Sequence, residues 1–317
     1  MRIVMLEPLA VSKETIDSLA KSFTNQGHEF IPCYQKTENK EALIAQASGA
    51  DVFIIANSPL SAEVINSAPN LKMISVAFTG IDHVDIQACK EKEITICNAA
   101  GYSTHSVAEL TFGLILSTLR NIVPCDTAAR NENTKAGLVG NELYNKTLGI
   151  VGTGAIGIRV AEIGKAFGCK LLGYSRTKKQ TAENIGIKYV SLEKLLSKSD
   201  IVSLHVPLTA ETKSLINKER IALMKPSSIL INVARGPVVD SNALAEALNN
   251  YKISGAGIDV FEMEPPIPED HPLLNAKNTV VTPHAAFATD ESMVRRAEIT
   301  FNNVLSWLND EPENVML

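Results

Sequence analysis

The chain lacks any long apolar run. Its best candidate, Val107 to Leu119, is broken by Glu109, Thr111, Ser117 and Thr118, and is too short and too polar to span a bilayer. The opening MRIVMLEPLA passes from a short apolar run to Glu7 and Pro8 with no small-residue cleavage site, which argues against a secretory signal. Positive charge is not in excess: 30 Lys+Arg face 35 Asp+Glu, a net charge of −5. That balance argues against nucleic acid or an anionic membrane as partner, while leaving room for a local cationic pocket. Cysteines are few. Cys33, Cys89, Cys97, Cys125 and Cys169 are scattered, odd in number and form no CxxC pair. They read as reduced thiols of a cytoplasmic protein, with no disulfide or zinc framework and no metal site. Low-complexity linkers and short repeats are absent as well. What is left is an ordinary globular composition, 45% hydrophobic over 317 residues, which at about 100–200 residues per domain predicts two domains.

Short β-branched runs alternate with helical patterns almost throughout. RIVML (2–6), EFIPC (29–33), DVFIIA (51–56), KMISV (72–76) and ITIC (94–97) read as buried strands, with helices at 12–22, 39–47 and 61–66. A second series follows: TLGIVG (147–152), KLLGY (170–174), IVSLHV (201–206), SILINV (228–233), GAGIDV (255–260) and TVVTP (279–283). Alternation of this kind predicts an α/β protein whose doubly wound parallel sheets are covered on both faces. Between the series lies a long helical segment from about Ser103 to Arg130, with Pro124 as the expected break. Ser103 or Thr104 could cap its start, and Ser106-x-x-Glu109 fits a capping box. The tail, Asp290 to Trp307, reads as one amphipathic helix with Val294, Ala297, Phe301, Val304 and Leu308 on its apolar face.

LGIVGTGAIG (148–157) places Gly152-x-Gly154-x-x-Gly157 where a buried strand gives way to a helix. The first glycine makes the tight turn, the second lets backbone approach a pyrophosphate, and the third lets helix and strand pack closely. Free N–H groups at the helix N-terminus, here of Ala155 and Ile156, suit phosphate oxygens. The strand before, the helix after and the strand KLLGY beyond all fit a dinucleotide site. The acid expected to grip the adenosine ribose, about 20 residues on, is missing. Ser175, Arg176 and Thr177 stand there instead, followed by Lys178 and Lys179. A guanidinium among hydroxyls suits a 2′-phosphate, so NADP(H) is expected over NAD(H).

Three further motifs end strands: INVARGPVVD (231–240), GIDVFEMEPP (257–266) and TPHAAFAT (282–289). Parallel α/β sheets put their chemistry at the carboxyl ends of strands, so Arg235, Glu264 and His284 can converge on one crevice. With AFTGIDHVD (77–85), NAAGYSTHSVAELTFGLIL (98–116), the glycine fingerprint and HVPLTAET (205–212), the chain resembles the D-isomer-specific 2-hydroxyacid dehydrogenases over nearly its whole length. The resemblance implies reduction of a small 2-oxo acid to a D-2-hydroxy acid by hydride transfer. It assigns Arg235 to the substrate carboxylate and C2 oxygen, His284 to proton transfer, and Glu264 to pairing with His284. Negative charge developing on the carbonyl oxygen needs a nearby proton and a nearby cation, which this set supplies. It further implies that Asp259 orients the nicotinamide and that Val206, Val233 and Ala234 line the cofactor. Thr104 either touches cofactor or caps its helix, and Phe78, Thr79 and Gly80 form the turn that binds the substrate carboxylate.

The family's topology implies a flavodoxin-like substrate-binding domain of residues 1–98 plus 286–317, and a Rossmann NAD(P)-binding domain of 99–285, with the active site in the cleft between them. The apolar face of 103–120 exceeds what one domain needs, and the resemblance implies that it supports a homodimer. Phe78 stands where many relatives have a small residue, so its ring is expected to narrow or grease the pocket. Phosphoglycerate-specific members of the family carry basic residues near the positions of Asn57 and Val76, and neither is basic here, so the resemblance implies a small substrate such as glyoxylate or hydroxypyruvate over a phosphorylated one; D-3-phosphoglycerate or D-lactate dehydrogenation is the alternative. Glu264 disfavours a formate-dehydrogenase-like reading. His83 and His205 read as structural. A cofactor-sensing corepressor-like protein on the same fold is the competing class, and the absence of long polar extensions favours the enzyme.

Overall fold

The computed structural model describes residues 1–37 and 39–317, which fall into two compact units. Unit 1 comprises Met1–Ser103 and Ala288–Leu317, and unit 2 comprises Thr104–Phe287.

Unit 1 contains strands β1 (Arg2–Met5), β2 (Glu29–Ile31), β3 (Val52–Ile55), β4 (Met73–Val76) and β5 (Thr95–Asn98). Helices α1 (Lys13–Thr24), α2 (Lys40–Ala47), α3 (Ala62–Asn66) and α4 (Ile86–Glu91) alternate with them. All pairings are parallel, in the order β2-β1-β3-β4-β5, the flavodoxin-like doubly wound order. The VFII run of β3 is buried at every position, as a strand covered on both faces requires. The helix starts are written locally. Ser12 and Asp85 accept the N–H of Thr15 and Ala88 and so satisfy donors the helix cannot. The C-terminal helix Asp290–Leu308 returns to this unit, opened by a capping box between Thr289 and Ser292. Its Ala297, Phe301 and Val304 are buried, and Phe301 stacks on Phe23 at 5.2 Å. Val294, expected on that face, is exposed instead, and Met293 takes the buried position.

Unit 2 begins with α5 (Thr104–Leu119) and α6 (Ile122–Arg130). It continues through β6 (Thr147–Val151), α7 (Ala155–Ala166), β7 (Lys170–Tyr174), α8 (Gln180–Ile185), β8 (Lys188–Tyr189), α9 (Leu192–Lys198) and β9 (Ile201–Leu204). It closes with α10 (Lys218–Ile221), β10 (Ile229–Asn232), α11 (Ser241–Asn249), β11 (Gly255–Ile258) and β12 (Thr279–Val281). Seven parallel strands lie in the order β12-β11-β10-β9-β6-β7-β8. The order reverses at β6, so a topological switch point falls between β6 and β9, at the end of the glycine-bearing strand.

Two expectations need correcting. Pro124 is not the break in the long helical segment. Asn121 is, in a left-handed conformation (φ +52°), and the two helices meet at 61°. Pro124 sits in the first turn of α6, where its missing N–H costs nothing. Nor is the apolar face of α5 surplus. Val107, Phe112, Leu114, Ile115 and Leu119 are buried in the core of unit 2 with Leu148, Ile150 and Ile231. The exposed apolar surface lies further on: α6 buries none of its residues, and Ile122, Val123, Val139 and Tyr144 are all exposed. Among the described residues no single helix is long and apolar enough to cross a membrane.

Candidate active site

The glycine turn is shaped by what it cannot accommodate. Gly152 has φ +99°, and a Cβ there would lie 2.4 Å from the His205 carbonyl oxygen. A Cβ on Gly157 would lie 2.0 Å from the Gly152 carbonyl oxygen, so the first turn of α7 presses directly on the strand end. Gly154 is different. Nothing lies within 4 Å of its Cβ position, and as N-cap of α7 it provides no side-chain cap. An open approach to uncapped helix N–H groups fits a dinucleotide pyrophosphate. Beyond β7, Ser175 is half-buried and Arg176 and Thr177 are exposed. Glu211 carries the nearby opposite charge: its carboxyl is held below the usual range by the Thr209 hydroxyl and its own amide, with Arg176 adding to the effect.

Tyr189 escaped the sequence reading because β8 has two residues and no periodicity. Its hydroxyl lies 2.7 Å from Thr153 Oγ1, inside the glycine turn, and accepts the Lys179 N–H at 3.1 Å. One phenol thereby ties the glycine turn to the turn that follows β7. The His205 ring turns back onto its own strand. Burial pushes it down to about 3, and its Nε2 lies 2.8 Å from Ser203 Oγ.

The candidate residues follow the carboxyl ends of β10, β11 and β12. Asn232, at the end of β10 and 1% exposed, accepts the Ala234 N–H at 3.1 Å and donates to the Arg235 carbonyl at 3.0 Å. That brace fixes the half-buried Arg235, whose Nη1 donates to the Ala234 carbonyl at 2.8 Å. Asp259, just past β11, is fully buried. Its Oδ1 accepts the Thr282 hydroxyl at 2.5 Å and the Ala285 N–H at 2.8 Å, and its Oδ2 accepts the Ala286 N–H at 3.0 Å. Both oxygens therefore serve the turn that carries His284. That residue adopts φ +54°, with its N–H donating to the Asp259 carbonyl at 2.8 Å. A side-chain-bearing residue held left-handed stores strain, and the Asp259 bonds are what hold it. The payoff is aim: His284 Nδ1 lies 2.7 Å from Glu264 Oε2, and the ring stands edge-on to Phe287. Among the described residues, no group of three or more His, Cys, Asp or Glu side chains could hold a metal ion.

The family model described as "D-isomer specific 2-hydroxyacid dehydrogenase, NAD binding domain" matches residues 112–286. The chain belongs to this family. It is similar to the glyoxylate reductase of Korarchaeum cryptofilum, 39% identical over 286 residues, 88% of this chain and 86% of that protein. Among solved structures it is similar to the D-lactate dehydrogenase of Aquifex aeolicus, complexed with NAD and lactic acid. That likeness has a TM-score of 0.86, 33% identity, and coverage of 100% and 99% of the two chains. An acyclic imino acid reductase in complex with NADPH and D-Arg is similar at TM-score 0.89 and 30% identity, over 100% of both chains. This 2-hydroxyacid dehydrogenase is therefore an NAD(P)-dependent oxidoreductase acting by hydride transfer between a 2-oxo and a 2-hydroxy acid. Neighbours that carry NADPH and NAD frame the choice of cofactor without making it.

Elsewhere the expected residues are distributed as follows. Thr104 opens α5, and the Ser106 hydroxyl donates to the Phe287 carbonyl at 3.4 Å. Val206 and Ala234 are half-buried and Val233 is buried. In unit 1, the Phe78 carbonyl accepts the Ala99 N–H at 2.9 Å and the Thr79 carbonyl accepts Asn98 Nδ2 at 2.7 Å. Thr79 is exposed and Gly80 half-buried. The Phe78 ring is buried, tilted against Tyr102 at 6.1 Å, so it belongs to the packing beneath the turn. Asn232, Thr282 and Tyr189 were not singled out from sequence; a polar residue ending a buried strand is the signal that could have found Asn232.

Proposed function

We propose that this dehydrogenase reduces small unphosphorylated 2-oxo acids, glyoxylate or hydroxypyruvate, to D-2-hydroxy acids, with NADP(H) preferred to NAD(H). The observation that carries the chemistry is the His284–Glu264 pair at 2.7 Å, set on a strained backbone by Asp259. The nicotinamide cofactor, when bound, supplies the hydride that adds to C2 of the substrate. Arg235 offers paired planar donors to the substrate carboxylate and C2 oxygen. His284 gives the proton to that oxygen through Nε2, because Nδ1 faces Glu264, and Glu264 fixes the ring's orientation. In the same reading unit 1 is the substrate-binding domain and unit 2 holds the cofactor.

Arg176 with Ser175 and Thr177, in a turn that offers no carboxylate to the ribose, supports the NADP(H) preference. Free thiols support a cytoplasmic setting: Cys33, Cys89 and Cys97 are buried, Cys125 and Cys169 are half-buried, and desolvation pushes Cys89, Cys97 and Cys169 up to about 11. A homodimer is part of the same reading. Its surface is assigned to α6 and the segment carrying Val139 and Tyr144, since α5 is consumed by its own core. The test is oxidation of NADPH and of NADH with glyoxylate, hydroxypyruvate, pyruvate and 3-phosphohydroxypyruvate. Fastest turnover of an unphosphorylated two- or three-carbon acid with NADPH is expected. No turnover of any 2-oxo acid would refute the enzyme reading, and a preference for the phosphorylated acid would refute the substrate assignment.

A further inference from the structure

Unit 2 holds a second histidine–carboxylate pair, and it lies in the loop that carries Glu264. His271 Nε2 is 3.0 Å from Glu262 Oε2, and the imidazole is 6% exposed. The other ring nitrogen, Nδ1, accepts the Leu273 N–H at 3.3 Å. A nitrogen that accepts carries no proton, so Nε2 is the protonated one and donates to the carboxylate. The ring stands edge-on to Phe261 with centroids 5.0 Å apart. Ser241, the first residue of α11, also hydrogen-bonds Glu262. Burial alone would push the Glu262 carboxyl up, yet the bonds from Ser241 and His271 outweigh it and hold it below the usual range.

The pair sits where the two halves of the reacting set meet. A Cβ on Gly236 would lie 1.9 Å from both the carbonyl carbon and oxygen of Phe261, and 2.5 Å from the Glu262 nitrogen. The turn bearing Arg235 therefore rests directly on the backbone of Phe261 and Glu262. Residues 262–266 are themselves exposed, so packing does little to fix the loop. Hydrogen bonds from His271 and Ser241 must do it.

We infer that Glu262 and His271 are positioning residues, which clamp the loop of Glu264 against the turn of Arg235 and so set both groups in one geometry. The inference rests on the reading of Arg235, Glu264 and His284 as the reacting set. A misplacement on the order of 1 Å can cost about 100-fold in rate, so the clamp acts on turnover through residues it holds.

The test compares Glu262→Ala and His271→Ala with two rescuing variants. Glu262→Gln keeps an acceptor oxygen, and His271→Gln keeps a donor near the Nε2 position. Glu264→Ala and the double variant Glu262→Ala/Glu264→Ala complete the set. Each is measured for kcat, for KM of the 2-oxo acid and of the cofactor, and for melting temperature. Both alanine variants are expected to lose on the order of 10- to 100-fold in kcat/KM for the 2-oxo acid, with the cofactor KM unchanged. The glutamine variants should recover most of the loss, and the double variant should lose less than the product of the two single losses. If an alanine variant does not fold, Glu262→Asp, which keeps the charge but shortens the reach, carries the same expected loss. Should Glu264→Ala leave turnover intact, the site assignment fails and takes this inference with it. If Glu264→Ala lowers turnover while the Glu262 and His271 variants do not, or if the losses multiply in the double variant, the site stands and the clamp is overturned.

Discussion

Asp259→Asn isolates the element that holds His284. The carboxylate is fully buried and accepts three hydrogen bonds from Thr282, Ala285 and Ala286. An amide has one acceptor oxygen. If that oxygen stays with Thr282 and Ala285, the new NH2 group faces the Ala286 N–H, donor against donor. One hydrogen bond to a charged group, worth about 1.5–3 kcal/mol, is lost, and a buried donor is orphaned at about 1–3 kcal/mol. The combined cost is about 3–5 kcal/mol, since the two losses overlap at Ala286. At about 2–4 °C per kcal/mol for a domain of 150–250 residues, the melting temperature falls by roughly 6–20 °C. The left-handed conformation of His284, which costs about 1–3 kcal/mol, then loses its support, and kcat falls on the order of 100-fold. Scanning calorimetry and steady-state kinetics read the two effects on one preparation. A variant with unchanged melting and a raised cofactor KM would mean that Asp259 acts by contact with the nicotinamide. Near-wild-type values of both melting temperature and kcat would refute the reasoning altogether.

Arg176→Ala should lower kcat/KM for NADPH by about 10- to 100-fold, the worth of one or two charge-assisted bonds, and leave NADH little changed; an unchanged ratio would exclude recognition of a 2′-phosphate by this turn. His284→Ala should lower mainly kcat, by about 10²–10⁴-fold, whereas Arg235→Ala should damage kcat and the KM of the 2-oxo acid together, and a reversed pattern would exchange their roles. Asp200 gives a pH signature. Burial would raise its carboxyl, but Lys225 at 2.8 Å and the Thr147 N–H at 2.8 Å outweigh that and leave it lowered. A lowered carboxylate contributes stability above its unfolded value, about 3.9, and loses it as pH falls through the folded value. Asp200→Asn should therefore melt lower than wild type at pH 7, with the gap closing below about pH 4; a gap independent of pH would contradict the assignment.

The sequence made the sheets legible because parallel strands covered on both faces are written as uninterrupted apolar runs, such as VFII at 52–55 and ILIN at 229–232. The glycine turn was legible for a different reason: Gly152 and Gly157 sit where no side chain fits. Less could be read where geometry, and not composition, decides. Asn121 breaks the long helical segment through its backbone angle, while Pro124, the more obvious breaker, lies harmlessly in a first turn. The apolar stripe of α5 looked surplus because sequence does not reveal that a seven-stranded sheet waits beneath it. Within the site, Arg235, Glu264 and His284 stood out by motif, but the residues that aim them did not. Asn232, Thr282 and His271 make side-chain hydrogen bonds across turns, and no periodicity marks them.

The central claim is that one site, built from Arg235, His284 and Glu264, delivers hydride and proton to a small 2-oxo acid with fixed handedness. Chiral analysis of the product made from hydroxypyruvate and NADPH tests it most directly. D-glycerate alone, abolished in His284→Ala, is the result this account predicts. L-glycerate, a racemic product, or undiminished D-glycerate from His284→Ala would contradict it.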